Sequence, residues 1–325
     1  MRPVLSWLSP PGAHARLSVL IFHRVLPAPD PLFPDETDTR RFDQICSWVG
    51  AWFNVLPLDL ALRQLGTAEL PERALAITFD DGYADNHDVA LPILRRHGLS
   101  ATFFIATGFL DGGCMWNDIV IEAVRHSIDS YLDLTELEVA GLGRLRVGSA
   151  QEKRCAIDRI LGALKYLPVS RRRDATALVA RQAGVRAPRG LMMSSRQVLE
   201  MRRAGMQIGA HTVSHPILAT LDRPSARDEI FQSKHFLEKL LSEAVTLFAY
   251  PNGKARTDFT AESSAIAREL GFAAAVSTDP GVATSATDHF SIPRFTPWDR
   301  SRIRFGARLA ANLRRTSPHG EGGSP

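Results

Sequence analysis

Apolar residues fall into two patterns along this chain: short unbroken runs, and longer stretches with helical spacing. The runs cover residues 17–22, 54–58, 74–77, 101–106, 206–210, 244–249 and 272–276. Strands buried on both faces read this way, so the runs predict the strands of a mostly parallel sheet. Between them, 41–53 carries Phe42, Ile45, Trp48, Val49 and Trp52 at helical spacing, and 86–97 repeats the pattern with Val89, Leu91, Ile93 and Leu94. Further helices are expected over 59–65, 195–204, 224–241 and 259–270, with Asp59 and Ser195 as N-caps and Gly98, Gly205 and Gly271 at helix ends. Such β-α-β alternation implies right-handed crossovers and a barrel-like α/β arrangement, strands inside and helices outside.

The rhythm is interrupted from about 117 to 190. Ile119, Ile121 and Val124 mark one helix there, 153–166 a second and 171–182 a third, all charge-laced and without a strong strand. This block reads as a helical insertion and a candidate lid. The run Arg171-Arg-Arg173 has no interleaved aromatics to stack bases, so it reads as a solvated helix start and no nucleic-acid partner is expected.

Composition narrows the class. The chain has 325 residues, 45% hydrophobic and 23% charged, an ordinary globular balance. Cys46, Cys114 and Cys155 form no CxxC pair, which argues against a disulfide framework and a thiolate zinc site. No apolar run approaches the ~20 residues that span a bilayer, and no segment has the layout of a signal peptide. A cytoplasmic protein is expected. The net charge of +4 is mildly basic.

Chemistry concentrates where apolar runs end. Residues 74–77 lead through Thr78 and Phe79 into Asp80-Asp81-Gly82-Tyr83. In α/β folds ligands are met at the carboxyl ends of strands, and two adjacent carboxylates need a positive partner or a shared proton. A metal ion beside one of them would serve; a helix cap or tight turn is the alternative. His211 and His215 follow another run, and two imidazoles with one carboxylate are a common catalytic zinc set.

Together, Thr78-Phe-Asp-Asp-Gly82 and His211-Thr-Val-Ser-His215 closely resemble the polysaccharide deacetylases, carbohydrate esterase family four with its NodB-homology domain. The resemblance covers roughly 17–113 and 191–300 and implies a distorted (β/α) barrel, here over 1–300, interrupted by the insertion at 117–190. It implies Asp80 as general base and Asp81, His211 and His215 as ligands of a divalent metal. Zinc suits these donors best, with cobalt, nickel or iron also fitting. An N-acetylated glycan or a lipid-linked amino sugar is the implied substrate.

Two departures from the family pattern stand out. The third motif reads Ala249-Tyr-Pro-Asn252, without its usual arginine or terminal aromatic. Pro251, Asn252 and Tyr83 become candidates for oxyanion or substrate contacts, and Arg294 is a candidate partner for Asp80. The late histidine that usually supplies the acid is also missing, since His289 and His319 lie in polar segments. Ile21-Phe-His-Arg-Val25 instead resembles the poly-N-acetylglucosamine deacetylases, which implies His23 as the acid. An amidohydrolase of small molecules, cyclic ureides included, is an alternative reading. So is a catalytically silent carbohydrate-binding relative, although a binding protein has no use for Asp80.

Residues 301–325 read as a basic helix followed by a disordered Gly/Ser/Pro-rich tail. Ile303, Phe305, Leu309 and Leu313 among the arginines make this segment a candidate for peripheral contact with an anionic membrane, or an ordinary helix packed on the barrel.

Overall fold

In chain order the strands are β1 Ser18–Phe22, β2 Asn54–Val55, β3 Ala74–Phe79, β4 Thr102–Ile105, β5 Tyr131–Asp133, β6 Arg144–Arg146, β7 Gln207–Ala210, β8 Leu247–Ala249 and β9 Ala274–Val276. They come from a computed structural model that describes residues 1–315; the tail residues from 316 on, His319 included, lie outside the described residues. The chain divides into two units. Met1–Ala28, Glu36–Leu110 and the residues from Met193 onward form one; Pro29–Asp35 with Asp111–Met192 form the other.

In the first unit an all-parallel sheet runs β1-β3-β4-β7-β8-β9, with β2 also paired to β3. Residues 292–295 bridge its two edges. Ile292 N–H donates to Ala275 and Ser277 N–H to Ile292 beside β9, while Phe295 N–H donates to Val19 and Ile21 N–H to Phe295 beside β1. The curled sheet and its surrounding helices are the distorted (β/α) barrel that the motifs implied.

Side-chain alternation along β3 decides what faces the interior. Ala74 and Ala76 join one buried cluster with Val19, Phe104, Ala249 and Ala274; Leu75, Ile77 and Phe79 join another with Phe42, Leu94 and other helix residues. Along β3, small residues thus face one cluster and large ones the other. Thr78 and Asp80 continue the parity of Ala74 and Ala76.

Several local expectations are corrected. Pro57, not Asp59, is the N-cap of helix Leu58–Gly66; Asp59 lies in its first turn, where Oδ1 accepts from Leu60 N–H at 2.7 Å. Ser194, not Ser195, caps helix Ser195–Arg203, because a capping box with Gln197 satisfies both ends. Asp222 caps the helix Arg223–Leu241, which places Pro224 in its first turn. The helix expected over 259–270 is Ala261–Glu269, capped by Thr260, because Phe259 stacks on Tyr250 at 3.8 Å. The helix expected over 86–97 begins as a π-helical turn, Asn86–Ala90, before the α-helix Leu91–Arg96. The first residues form a short helix, Arg2–Leu8. In the basic segment, helix Arg302–Asn312 buries Phe305 and Leu309 in the barrel's outer core together with Leu313. Of its interspersed apolar residues only Ile303 is exposed, at 80%.

The second unit contains helices Trp116–His126, Ala150–Leu164 and Val169–Gln182. Its own core includes Val120, Val124, Ile157, Ile160 and Val179. Arg125 makes a paired contact with Asp30 at 2.9 and 2.6 Å. It also holds an antiparallel hairpin of β5 and β6 where no strand was expected. Arg172 is buried over Trp116 and donates to Lys165 O at 3.1 Å, so the middle of the arginine run is structural rather than solvated. Among the described residues no helix is long and apolar enough to cross a membrane.

Candidate active site

Asp80 follows β3 with its parity, so its carboxylate enters the barrel. Arg294, on the closing segment, meets it with two in-plane bonds, Nη1 to Oδ1 and Nη2 to Oδ2, each 2.7 Å. The guanidinium is fully buried; its Nε donates to Ser277 O at 2.7 Å and Nη1 reaches Thr78 Oγ1 at 3.2 Å. Thr78 Oγ1 in turn donates to Leu20 O at 2.7 Å. Burial acts to raise the Asp80 pKa, but Arg294, His211 and His23 outweigh it and hold the group below its ordinary value.

Strict alternation would turn Asp81 outward. Its φ of +76° prevents that, and Gly82 follows at +90°, packed so closely on Ile105 that a Cβ would stand 3.3 Å from its side chain. The turn brings Asp81 Oδ1 within 3.3 Å of His211 Nε2 and 3.4 Å of His215 Nε2. His211 continues the barrel rim after β7, and its Nδ1 donates to Ala249 O at 2.7 Å, which leaves Nε2 as the free lone pair. Thr212 at φ +64° and His215 at φ +53° bend the chain back so that the second ring lies 4.8 Å from the first, centroid to centroid. Positive φ is rare for a β-branched residue, and strained backbone clusters at functional sites.

These three side chains fit a divalent cation. Among the described residues Asp81 Oδ1 is buried without a hydrogen bond, and the three donor atoms all lie within 4.8 Å of one another. Tetrahedral zinc with bonds of about 2.0–2.1 Å would space neighbouring donors about 3.3 Å apart, as Asp81 is from each imidazole. Burial opposes ionisation of Asp81, yet the histidines hold its pKa well below the carboxylate range. The two imidazoles shift oppositely. Burial pushes His215 down to about 4. Burial also acts against charge on His211, but its contact with Asp81 and the field of Asp80 prevail and raise it.

The other expected residues are distributed around this centre. His23 follows β1, whose Phe22 pairs with Phe79, so it lies beside Asp80 across the ladder and is exposed. It is close enough to influence Asp80, Asp81 and His215 electrostatically. Asn252 follows β8 at φ +59°; its carbonyl accepts from Thr278 Oγ1 at 2.8 Å. Pro251 is buried beside it. Tyr83 is buried under the Arg24 guanidinium, 4.7 Å from the ring centroid.

Comparison with known proteins gives the family. The profile of the polysaccharide deacetylase family matches residues 67–130 and 164–275, more than half of the chain. The chain belongs to the polysaccharide deacetylase family. It is similar to YxkH of Bacillus subtilis (strain 168), itself assigned to this family, at 20% identity over 282 residues, 86% of this chain and 71% of the relative. Among solved structures, the Streptococcus pyogenes deacetylase PplD, in complex with acetate, has a TM-score of 0.60 at 20% identity, covering 93% of this chain and 99% of that one. IcaB from Ammonifex degensii has a TM-score of 0.56 at 18% identity, covering 94% and 99%. The enzyme is thus a polysaccharide deacetylase acting on acetylated glycans.

Sequence reasoning missed three supports of this candidate site. Asp85 and Asn86 hold the loop after β1: Asp85 accepts from Arg24 at 2.8 Å and Val25 N–H at 3.1 Å, and Asn86 Nδ2 donates to His23 O at 2.9 Å. Both directly follow the double-aspartate motif, a signal that could have pointed to them. Glu229, on the helix Arg223–Leu241, meets the loop between the two histidines.

Proposed function

We propose that this deacetylase is metal-dependent and hydrolyses N-acetyl groups of a glycan or lipid-linked amino sugar, with Asp80 and Asp81 in separate roles. The observation that carries this reading is the partition of partners: Asp80 is saturated on one side by Arg294, whereas Asp81 Oδ1 faces two imidazole nitrogens. Asp81, His211 and His215 would hold a divalent cation, with zinc the best match to their donors. Such a cation supplies a Lewis acid and a water acidic enough to attack at neutral pH.

The chain's own residues supply the rest. Asp80 accepts the proton of the attacking water as general base; a carboxylate has about four lone-pair directions, and Arg294 uses two. Arg294 fixes the orientation of Asp80 and keeps it anionic. The Asn252 N–H, at the end of β8, donates to the oxyanion that develops on the acetamide oxygen. His23 delivers a proton to the departing amine nitrogen. An acid that precedes the double aspartate in the chain, together with the likeness to IcaB, favours a poly-N-acetylglucosamine type of substrate.

Acetate release from a panel of N-acetylated glycans tests the proposal. Release is expected from N-acetylglucosamine oligomers, to be lost on chelation and restored by added Zn²⁺, Co²⁺ or Ni²⁺. Release that survives complete chelation would remove the metal from the account.

A further inference from the structure

The spacing of the three ligand residues depends on a loop whose backbone is unfavourable on its own, with Thr212 and His215 both at positive φ. Two sets of contacts hold it. On the sheet side, the segment after β4 presents three successive N–H groups: Ala106 donates to Asp81 O at 3.2 Å, Thr107 to Thr212 O at 3.1 Å and Gly108 to Val213 O at 2.9 Å. One stretch of backbone therefore fixes both the Asp81 turn and the histidine loop. Gly108 must be glycine for this approach, since a Cβ there would come within 2.7 Å of Val213 O.

On the opposite side stands Glu229. Its Oε2 accepts from Val213 N–H at 2.9 Å and Ser214 N–H at 2.8 Å, and its Oε1 accepts from Ser214 Oγ at 2.6 Å. A carboxylate bonded to two consecutive backbone N–H groups fixes the peptide planes between the histidines. Within the loop, His215 N–H donates to Thr212 Oγ1 at 3.2 Å, so the constraint passes directly to the second imidazole. Without Glu229, two part-buried N–H groups lose their acceptor and the left-handed turns lose what compensates them.

We infer that Glu229 is a positioning residue of the metal centre, pressing the His211–His215 loop against the segment 106–108 so that both imidazoles converge with Asp81. This rests on the reading of Asp81, His211 and His215 as metal ligands. Glutamine preserves the contacts: its amide oxygen replaces Oε2, and its NH₂ donates to Ser214 Oγ, which can turn to accept. Alanine preserves none of them.

The test is the Zn²⁺ dissociation constant of the full chain, measured by competition with a chelating dye, alongside thermal melts of the metal-free protein. E229A is expected to bind Zn²⁺ about 10- to 100-fold more weakly, the usual cost of losing an outer support of a metal site. E229Q should restore binding to within about threefold of wild type, since its hydrogen bonds are retained. A residue that merely stabilised the helix would lower the melting temperature in E229A and leave Zn²⁺ affinity unchanged; that result overturns the inference. Should E229A fail to fold, S214A decides: several-fold weaker Zn²⁺ binding supports it and unchanged binding contradicts it. Wild-type protein that binds no Zn²⁺ would instead refute the metal reading itself.

Discussion

The end of β3 carries two carboxylates with different surroundings. Asp80 is held by a guanidinium that reaches it from the closing segment and is itself bonded to a threonine of the same strand. Among the described residues Asp81 meets no arginine; its Oδ1 looks across at two imidazoles from the end of β7. Both are buried, and both are kept ionised below their ordinary pKa. The difference shows how one turn can give adjacent identical residues separate chemistry. Strand alternation directs the first inward, and a left-handed φ returns the second to the same cavity.

The largest expected effect on this contrast comes from Arg294→Met. It leaves Asp80 buried and unpaired, so urea unfolding should show a loss of about 3–5 kcal/mol together with loss of turnover. Arg294→Lys keeps the charge but not the two-pronged geometry, and should fall between. His23→Gln should lower kcat by about 10²–10⁴-fold, the range for a general acid, with Zn²⁺ affinity and melting temperature unchanged. A variant that also lost metal would place His23 on the Asp81 side.

A smaller effect concerns pH. His215 has its pKa pushed down to about 4 from an ordinary 6.5, chiefly by burial. Between those values the unfolded chain takes up a proton that the folded one refuses. The metal-free protein therefore loses stability from this residue as pH falls from 6.5 towards 4. His211 has the opposite sign: its raised pKa contributes stability that is fully present below pH 6.5 and lost as pH rises. In denaturant titrations at pH 6.5 and 4.5, H215Q should lose less stability than wild type, by about 2 kcal/mol.

Much of this was legible in the sequence, for identifiable reasons. Strands such as Ser18–Phe22 and Ala74–Phe79 are buried throughout and so have no polar positions to blur their limits. The hairpin of β5 and β6 was not legible, because three-residue strands buried only at Leu132 and Leu145 have too little pattern to stand out. The candidate metal site of Asp81, His211 and His215 could be read because its motifs follow strand ends. Arg294 could be named as a candidate partner for Asp80 because the third motif lacks its arginine, but its two-pronged geometry, reached across 214 residues through barrel closure by residues 292–295, could not be read. Glu229 acts through backbone N–H groups, and no side-chain pattern records that. The cap at Ser194 lies one residue before the expected Ser195 because adjacent serines compete for the same role.

The central claim is the division of labour between the two aspartates, and Asp80→Asn measured beside Asp81→Asn tests it most directly. With Zn²⁺ affinity and acetate release determined on the same preparations, D80N should bind metal within a few-fold of wild type while turnover falls by about 10²–10⁴-fold. D81N should lose metal affinity, and turnover with it. Equal loss of metal in both variants, or undiminished acetate release from D80N, would contradict the assignment.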